Sequence, residues 1–510
     1  MSKRKFLIAY DICHEVLSQV GQNIPETVYL LDQATAMTKT AARMVEGLSD
    51  KDLLAMKEME PQLATVMSFY AVMMRAAFLA KPEMLPFLAY RMVQLTMENG
   101  LCMDSLTGFI VLAALLCKKS MGDEIDILCA TKIGKAAISC LSHRYNAEKV
   151  PVTYSLYYGF VAWHSEPLQI CVEKFQQGFE VDMSLGESHT AFYNSLQQVA
   201  FAILAGERLP NLLEKVNYHL GLANNYKDDF GKRCCSFHRH TIEILIGGGE
   251  SWWMDIKLQC LALLPAKVLE NLYFFSALKT YWQGHNKRCK YYVEKMLTVI
   301  ATSNQFIAGP QTYYFIVFIN GLNTFELMKS HQTATAMKKL KSTAVKALKV
   351  LKVASEYSSW NFQNKVRYVP CLFLFIIKHY MSKSSLVSCH TNFQVQLLEA
   401  ELKSHEGKHD EAMTFYVASI KSAKASGFNN EQGLACELAG NHCKLVSNMS
   451  GAENFLIQAR MCYTEWGSQM RVQSIDRQLV LIKRSIRGAV SQMEVERKTT
   501  VRVLNSFKCV

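Results

Sequence analysis

The chain has 510 residues, half of them apolar and a fifth charged; that is enough apolar surface for an extensive core and excludes global disorder. A formal charge of +12 favours acidic partners over basic ones and does not by itself mean nucleic acid. Sixteen cysteines, scattered singly or in loose pairs among apolar stretches (Cys102, Cys129, Cys140, Cys171, Cys260, Cys436), read as buried thiols of a reducing compartment.

Met1-Ser2-Lys3-Arg4-Lys5 leads into an amphipathic stretch with no small-residue cleavage site, so no cleaved signal peptide is expected. Phe6, Ala9, Ile12, Cys13, Val16, Leu17 and Val20 recur at helical spacing, and Gly21 and Pro25 end that helix. The same grammar repeats along the chain: an apolar stripe, a short polar break with glycine, another stripe. With 10 prolines and little alternation, helix is expected nearly throughout, with little or no sheet. The apolar runs Leu106–Cys117 and Val369–Ile377 are shorter than the ~20 residues of a spanning helix, and the expectation is a cytoplasmic chain with no membrane contact. The sequon at Asn448-Met449-Ser450 carries no meaning in that compartment.

The glycine breaks share a register. Gly122 is followed five positions on by Ile127, Gly186 by Ala191, Gly284 by Cys289 and Gly407 by Ala412. A glycine closes one helix in the left-handed conformation, and a small or apolar residue in the next helix lets the two approach. The repeating unit is thus a helical hairpin. Ala400, Ala412, Tyr416 and Ser419 match the small, small, large, small positions of a TPR hairpin, and the same classes recur at the same mutual spacing at Gly440, Ala452, Leu456 and Ala459. Ala277 and Cys289 begin a looser copy. The step from Ala400 to Gly440 is longer than the ~34 residues of a TPR, so these hairpins need longer helices or loops. The expected fold class is all-α, a TPR-like superhelix, divided as 1–225 and 261–470 around a joint at 226–260, with a basic helical tail at 471–510. That tail holds nine basic and three acidic residues.

The stretches Asn429-Asn430-Glu431-Gln432-Gly433-Leu434-Ala435-Cys436-Glu437-Leu438-Ala439 and Ala459-Arg460-Met461-Cys462-Tyr463-Thr464-Glu465-Trp466-Gly467 resemble the long helical region of large signalling proteins. So do Trp163–Pro167 and Gly178–Tyr193. Those proteins join a Ser/Thr kinase-like domain, an AAA-type ATPase and a TPR-like superhelix; bacterial members often end in a histidine kinase, and relatives occur in diatoms. The resemblance implies the fold and a signalling context. The family's catalytic motifs are not found here. Gly247-Gly248-Gly249-Glu250-Ser251 lacks the lysine of a phosphate loop, and Asp229-Phe230-Gly231 has no H-R-D loop upstream.

Cys234, Cys235, His238 and His240 are the only dense cluster of soft ligands. Zinc sites usually draw on two separated pairs, and no second pair is evident; a solvent-facing joint is the preferred reading. Leu327–Ser355 holds seven lysines and no acid, with Met337, Leu340, Ala344, Leu348 and Leu351 as its apolar stripe and Lys338, Lys341, Lys349 and Lys352 largely away from it. It reads as a solvated face, with docking of an acidic peptide or domain, or nonspecific phosphate contact, as alternatives. Nucleic-acid recognition would want interleaved aromatic residues, which this stretch lacks. Trp466 is expected to fill the gap between hairpins, Gly467 to end its helix, and Glu437 to bond to a neighbouring helix.

No catalytic, cofactor-binding or metal-binding residue is assigned. The expected function is a noncatalytic interaction module of a signalling protein, with a protein partner, possibly acidic. One alternative is the helical part of a larger ATPase–kinase polypeptide; another, resting on charge alone, is an RNA-associated helical-repeat protein.

Residues 366–394 interrupt the resemblance, which runs to Lys365 and resumes at Val395. The interrupting segment contains no Asp or Glu and includes Val369-Pro370-Cys371-Leu372-Phe373-Leu374-Phe375-Ile376-Ile377. A valine codon begins GT and a glutamine codon can be CAG, the borders of an intron, so the segment reads as an insert or a retained intron. Transcript sequencing is expected to find mature messages without these codons; their retention in every message would remove the reading.

Overall fold

A computed structural model describes residues 3–26, 31–119, 124–247, 265–302, 309–310, 316–330, 334–357 and 393–506. Among them lie twenty-one α-helices and three short 3-10 turns. The first eight helices are α1 (Lys3–Gln19), α2 (Leu31–Met44), α3 (Asp50–Ala55), α4 (Pro61–Ala80), α5 (Leu85–Asn99), α6 (Ser105–Lys119), α7 (Glu124–His143) and α8 (Val150–Phe160). Then come α9 (Leu168–Ser184), α10 (Ser188–Leu204), α11 (Leu209–Asn225), α12 (Asp229–Ile246), α13 (Ala266–Trp282), α14 (Asn286–Thr302), α15 (Ile316–Ser330) and α16 (Ala334–Tyr357). The last five are α17 (Phe393–His405), α18 (His409–Ala425), α19 (Asn429–Leu445), α20 (Met449–Trp466) and α21 (Gln469–Ser506). The described residues contain no strand, only a single parallel bridge between Glu58 and Leu101. The chain is an all-α stack of helical hairpins.

The repeat has a simple physical origin. Gly407, Gly427, Ser447 and Gly467, evenly spaced along the chain, all have positive φ. At each, the next residue's N–H returns to a carbonyl five positions back: Lys408 to Lys403 at 3.0 Å, Phe428 to Ala423 at 3.0 Å, Asn448 to Cys443 at 2.8 Å and Ser468 to Tyr463 at 3.0 Å. This is the helix-closing bond of a Schellman turn. Gly186, Gly206, Lys227 and Gly284 make the same turn. Each unit is therefore a helix of about five turns and a minimal connection, 17 residues in α18 and α19 and 18 in α20. The longer period relative to a TPR comes from helix length, not from loops. Lys227 and Ser447 hold the left-handed position without glycine, which is why the glycine register shows only part of the repeat.

The packing positions read from the sequence are buried. Ala400, Ala412, Ala452, Leu456, Ala459, Ala277 and Cys289 are fully enclosed, and Tyr416 and Ser419 nearly so. Gly440 lies where a Cβ would come within 2.9 Å of the Leu456 side chain, so α19 and α20 cross at backbone distance. Gly122 lies outside the described residues.

Three features depart from the sequence reading. First, the described part of the expected joint, 226–247, is mostly the helix α12. Asp228 caps it, accepting from the Gly231 N–H at 2.6 Å, and the helix packs on α10 and α11. Residues 248–264 lie outside the described set. Second, the stack is not strictly linear. Ser468 Oγ donates to the Leu245 carbonyl at 2.5 Å, Gly467 lies against Pro210, and Asn430 against Gly206. Helices far apart in the sequence thus touch, and the hydrophobic core runs continuously from Tyr10 to Ile482. Third, α4 is one described helix long and apolar enough to cross a membrane by length and composition. It lies against α1 and α5 with Met67, Tyr70, Met73 and Met74 buried.

Of the suspected insert, residues 366–392 lie outside the described residues. Its last residues, Phe393 and Gln394, belong to α17, and Gln394 is fully buried; the boundary at 394 therefore falls inside a packed helix. α21 begins just before the expected basic tail, and its first turns are packed through Val472, Ile475, Leu479 and Ile482.

Ala412→Arg should destabilise the protein by about 3 kcal/mol or more, since an enclosed contact between helices cannot take a long cationic chain. An unchanged melting temperature would overturn the placement of this hairpin.

Candidate functional site

A dense constellation of ionisable groups gathers on the inner helices of the C-terminal half. α19 is flanked by α18 and α20, and nearly every residue from Asn430 to Cys443 is buried. A helix enclosed this fully must satisfy its polar side chains from its neighbours. Glu437 does so with three donors: Tyr463 Oη at 2.8 Å, the Arg471 guanidinium, and Gln478 Nε2 at 3.3 Å. Arg471 also donates to the Trp282 carbonyl at 3.2 Å and lies over the rings of Trp282 and Tyr463. Trp466 completes the cluster, its ring centroid 5.0 Å from that of Trp282. Glu437 thus ties α19 to α20 and α21, Trp466 fills the space between hairpins, and Gly467 ends α20 with φ 92°, as the sequence indicated.

One hairpin earlier the arrangement recurs. Tyr416 on α18 donates to Glu401 on α17 at 2.6 Å, and Lys329 on α15 stands 3.8 Å from Glu401 and 2.6 Å from Glu326. Burial raises the Glu401 carboxyl above its ordinary range, against the opposing pull of Lys329 and the Tyr416 hydroxyl. Nearer the hairpin ends, Gln394 Nε2 donates to both oxygens of Glu431, at 3.0 and 3.2 Å. Among the described residues no cation offsets the burial of Glu431, which pushes its pKa up to about 8. Glu431 and Asn430 line a cavity of about 20 Å³ with Trp282, Leu434 and Trp466. That is room for a single water, which could bridge the two polar side chains.

Two Ser–His pairs escaped the sequence reading: Ser195 Oγ with His219 Nδ1 at 2.6 Å, and Ser404 Oγ with His442 Nδ1 at 2.8 Å. The partners come from different helices, so no local motif announces them. Ser195 and His219 are both almost fully buried, and burial pushes the His219 pKa down to about 4. Neither pair lines the cavity above or the open cleft of about 380 Å³ between α7, α8 and α9, whose walls include Leu141, Tyr145, Tyr154, Gln177 and Glu180. They act as helix-to-helix hydrogen bonds.

The Cys234–His240 cluster is not a solvent-facing joint. It lies on α12, where helical period turns Cys235 and His238 into the core while Cys234 and His240 are partly exposed. Burial drives His238 down to about 3 and Cys235 up to about 12, which keeps both neutral at pH 7. His238 meets the edge of Phe275 at 5.1 Å between ring centroids, and the nearby Lys279 amine is lowered to about 8 by burial. Among the described residues no three His, Cys, Asp or Glu side chains are placed to share a metal ion.

The lysine-rich stretch forms α16. Leu340, Ala344, Leu348 and Leu351 face inward, and Lys338, Lys339, Lys341, Lys346, Lys349 and Lys352 are exposed.

No family model matches the sequence, and no curated protein matches it. Among solved structures the chain is similar to a circular tandem repeat protein with novel repeat topology and enhanced subunit contact surfaces. The identity is 13% over 91% of this chain and 99% of that one, with a TM-score of 0.18.

Glu431 generates a pH prediction. Its carboxyl keeps its proton in the folded state up to about 8, whereas its ordinary value is 4.5. The folded state then binds the extra proton, so this group's stability contribution is full below pH 4.5 and is lost as pH rises through 8. Glu431→Gln, which cannot ionise, should melt close to the parent at pH 5 and gain on it steadily towards pH 8–9 in thermal melts. Parallel melting curves across that range would overturn the assignment.

Proposed function

We propose that this chain is a noncatalytic helical-repeat interaction module of a signalling assembly. The observation that carries the reading is where its ionisable groups are spent. Glu401, Glu437, His219, His442 and Arg471 are committed to contacts between helices, while the outer helices α14 and α16 present exposed charge. Stacked hairpins offer extended surfaces, and binding on such a surface needs no reactive group. The signalling context rests on the resemblance of Asn429–Ala439 and Ala459–Gly467 to the helical region of the ATPase–kinase proteins.

Affinity capture of the full-length native product followed by mass spectrometry tests this. The expected result is a product of about this mass with co-purifying protein. A much longer product containing ATPase or kinase peptides would overturn it in favour of the larger-enzyme alternative. The purified chain should also hydrolyse no ATP above a blank, since no phosphate-cradling loop or magnesium ligand set is assigned in its sequence; turnover surviving rigorous purification would refute the noncatalytic reading.

A further inference from the structure

We propose that the outer face made by α14 and α16 docks an acidic, amphipathic polypeptide segment; the proposal rests on the interaction-module reading and names its partner class. α15 packs against α13 and α17 on either side and against both α14 and α16. Those two helices are thus successive outer members of the stack, covering the same inner helix. α14 exposes Lys287, Arg288, Lys290 and Lys295 against a single acid, Glu294, which stands 3.9 Å from Lys290. On α16, Lys341 pairs with Glu406 at 3.1 Å and Lys352 with Glu399. Lys338, Lys339, Lys346 and Lys349 have no ion-pair partner among the described residues. The flanking sequence adds no acid, since residues 303–315, 331–333 and 358–392 contain no Asp or Glu, and α16 itself carries one, Glu356 at its end.

Charge alone would suit a nucleic acid equally well. The apolar side chains on the same helices decide for a polypeptide. Val345 is 44% exposed one helical turn from both Lys341 and Lys349, and Leu297 and Tyr291 are 42% and 45% exposed on α14. An acidic segment with apolar residues at helical spacing satisfies lysines and apolar patches together. A phosphate backbone leaves Val345 and Leu297 in water. Arg288 is the only arginine on these two helices, whereas phosphate recognition favours arginine forks; the exposed Tyr291 ring, which could stack on a base, lies under the Lys295 amine at 5.5 Å.

The test uses the full chain and a fluorescein-labelled helical peptide of glutamates and leucines, read by fluorescence anisotropy. Comparators are the same peptide with serine for leucine and an oligouridylate of equal charge. The Glu/Leu peptide should bind most tightly and weaken as salt rises. Lys338→Glu, Lys346→Glu and Lys349→Glu together should lower its affinity about tenfold or more, since they place like charges against the ligand. Val345→Ser should lower it about threefold and leave the oligouridylate unaffected. Circular dichroism checks the fold, and Lys346→Gln with Lys349→Gln gives a milder pair should the charge reversal fail to fold. Tighter binding of RNA, equal binding of the serine peptide, or indifference to all these changes would overturn the proposal. Capture experiments separate the two failures. If the charge-reversed chain still captures the parent's partner, this face is wrong and the module reading stands. If the parent captures nothing, the module reading itself fails.

Discussion

The closing turn of each helix governs the rest of the molecule. A residue in the left-handed conformation lets the next N–H reach back five positions, and the chain reverses within about three residues. So short a connection leaves consecutive helices no choice but to lie antiparallel and in contact. Repeating it at even steps from Gly407 to Gly467 fixes helix length, hairpin register and the sides that face inward. Close approach then demands small residues at the crossings, and Ala400, Ala412, Gly440, Ala452 and Ala459 are where that demand falls.

Tight stacking has an electrostatic consequence. An inner helix such as α19 is covered by helices on several sides, so its polar residues lose water and must find protein partners. Among the described residues Glu437 finds Tyr463, Arg471 and Gln478, whereas Glu431 finds the amide of Gln394 and keeps a raised pKa. The two carboxyl groups lie on one helix, yet one faces an arginine and the other is pushed towards neutrality. The burial penalty on a charge is several kcal/mol, and only a well-placed counter-charge offsets it. Removing Arg471 would therefore cost more than one hydrogen bond, because it would strand Glu437.

Polar groups sorted this way leave the outer helices to carry the excess positive charge. α16 buries an aliphatic stripe and exposes six lysines, an amphipathic division that a solvated helix and a docking helix share. What distinguishes them here is the company α16 keeps: a second basic helix over the same inner neighbour, and apolar side chains left exposed among the lysines.

Helical periodicity, the glycine register and the recurring small residues determined the fold class and the hairpin unit, because all three are set by contacts within one hairpin. Gly467 as the end of its helix was legible for the same reason, whereas the partners of Glu437 and Trp466, Arg471 and Trp282 among them, lie on other hairpins. The turns at Lys227 and Ser447 were not, since a left-handed residue other than glycine leaves no mark in composition. Nor could the sequence place Cys235 and His238 in the core, because a polar-looking stretch reveals its inward face only when its neighbours are known. The pairing of Ser195 with His219, the reach of Arg471 to Trp282, and the contact of Ser468 with the distant Leu245 all belong to the tertiary structure. Such contacts depend on how hairpins stack in space, and stacking is decided by summed packing over many residues rather than by any local pattern.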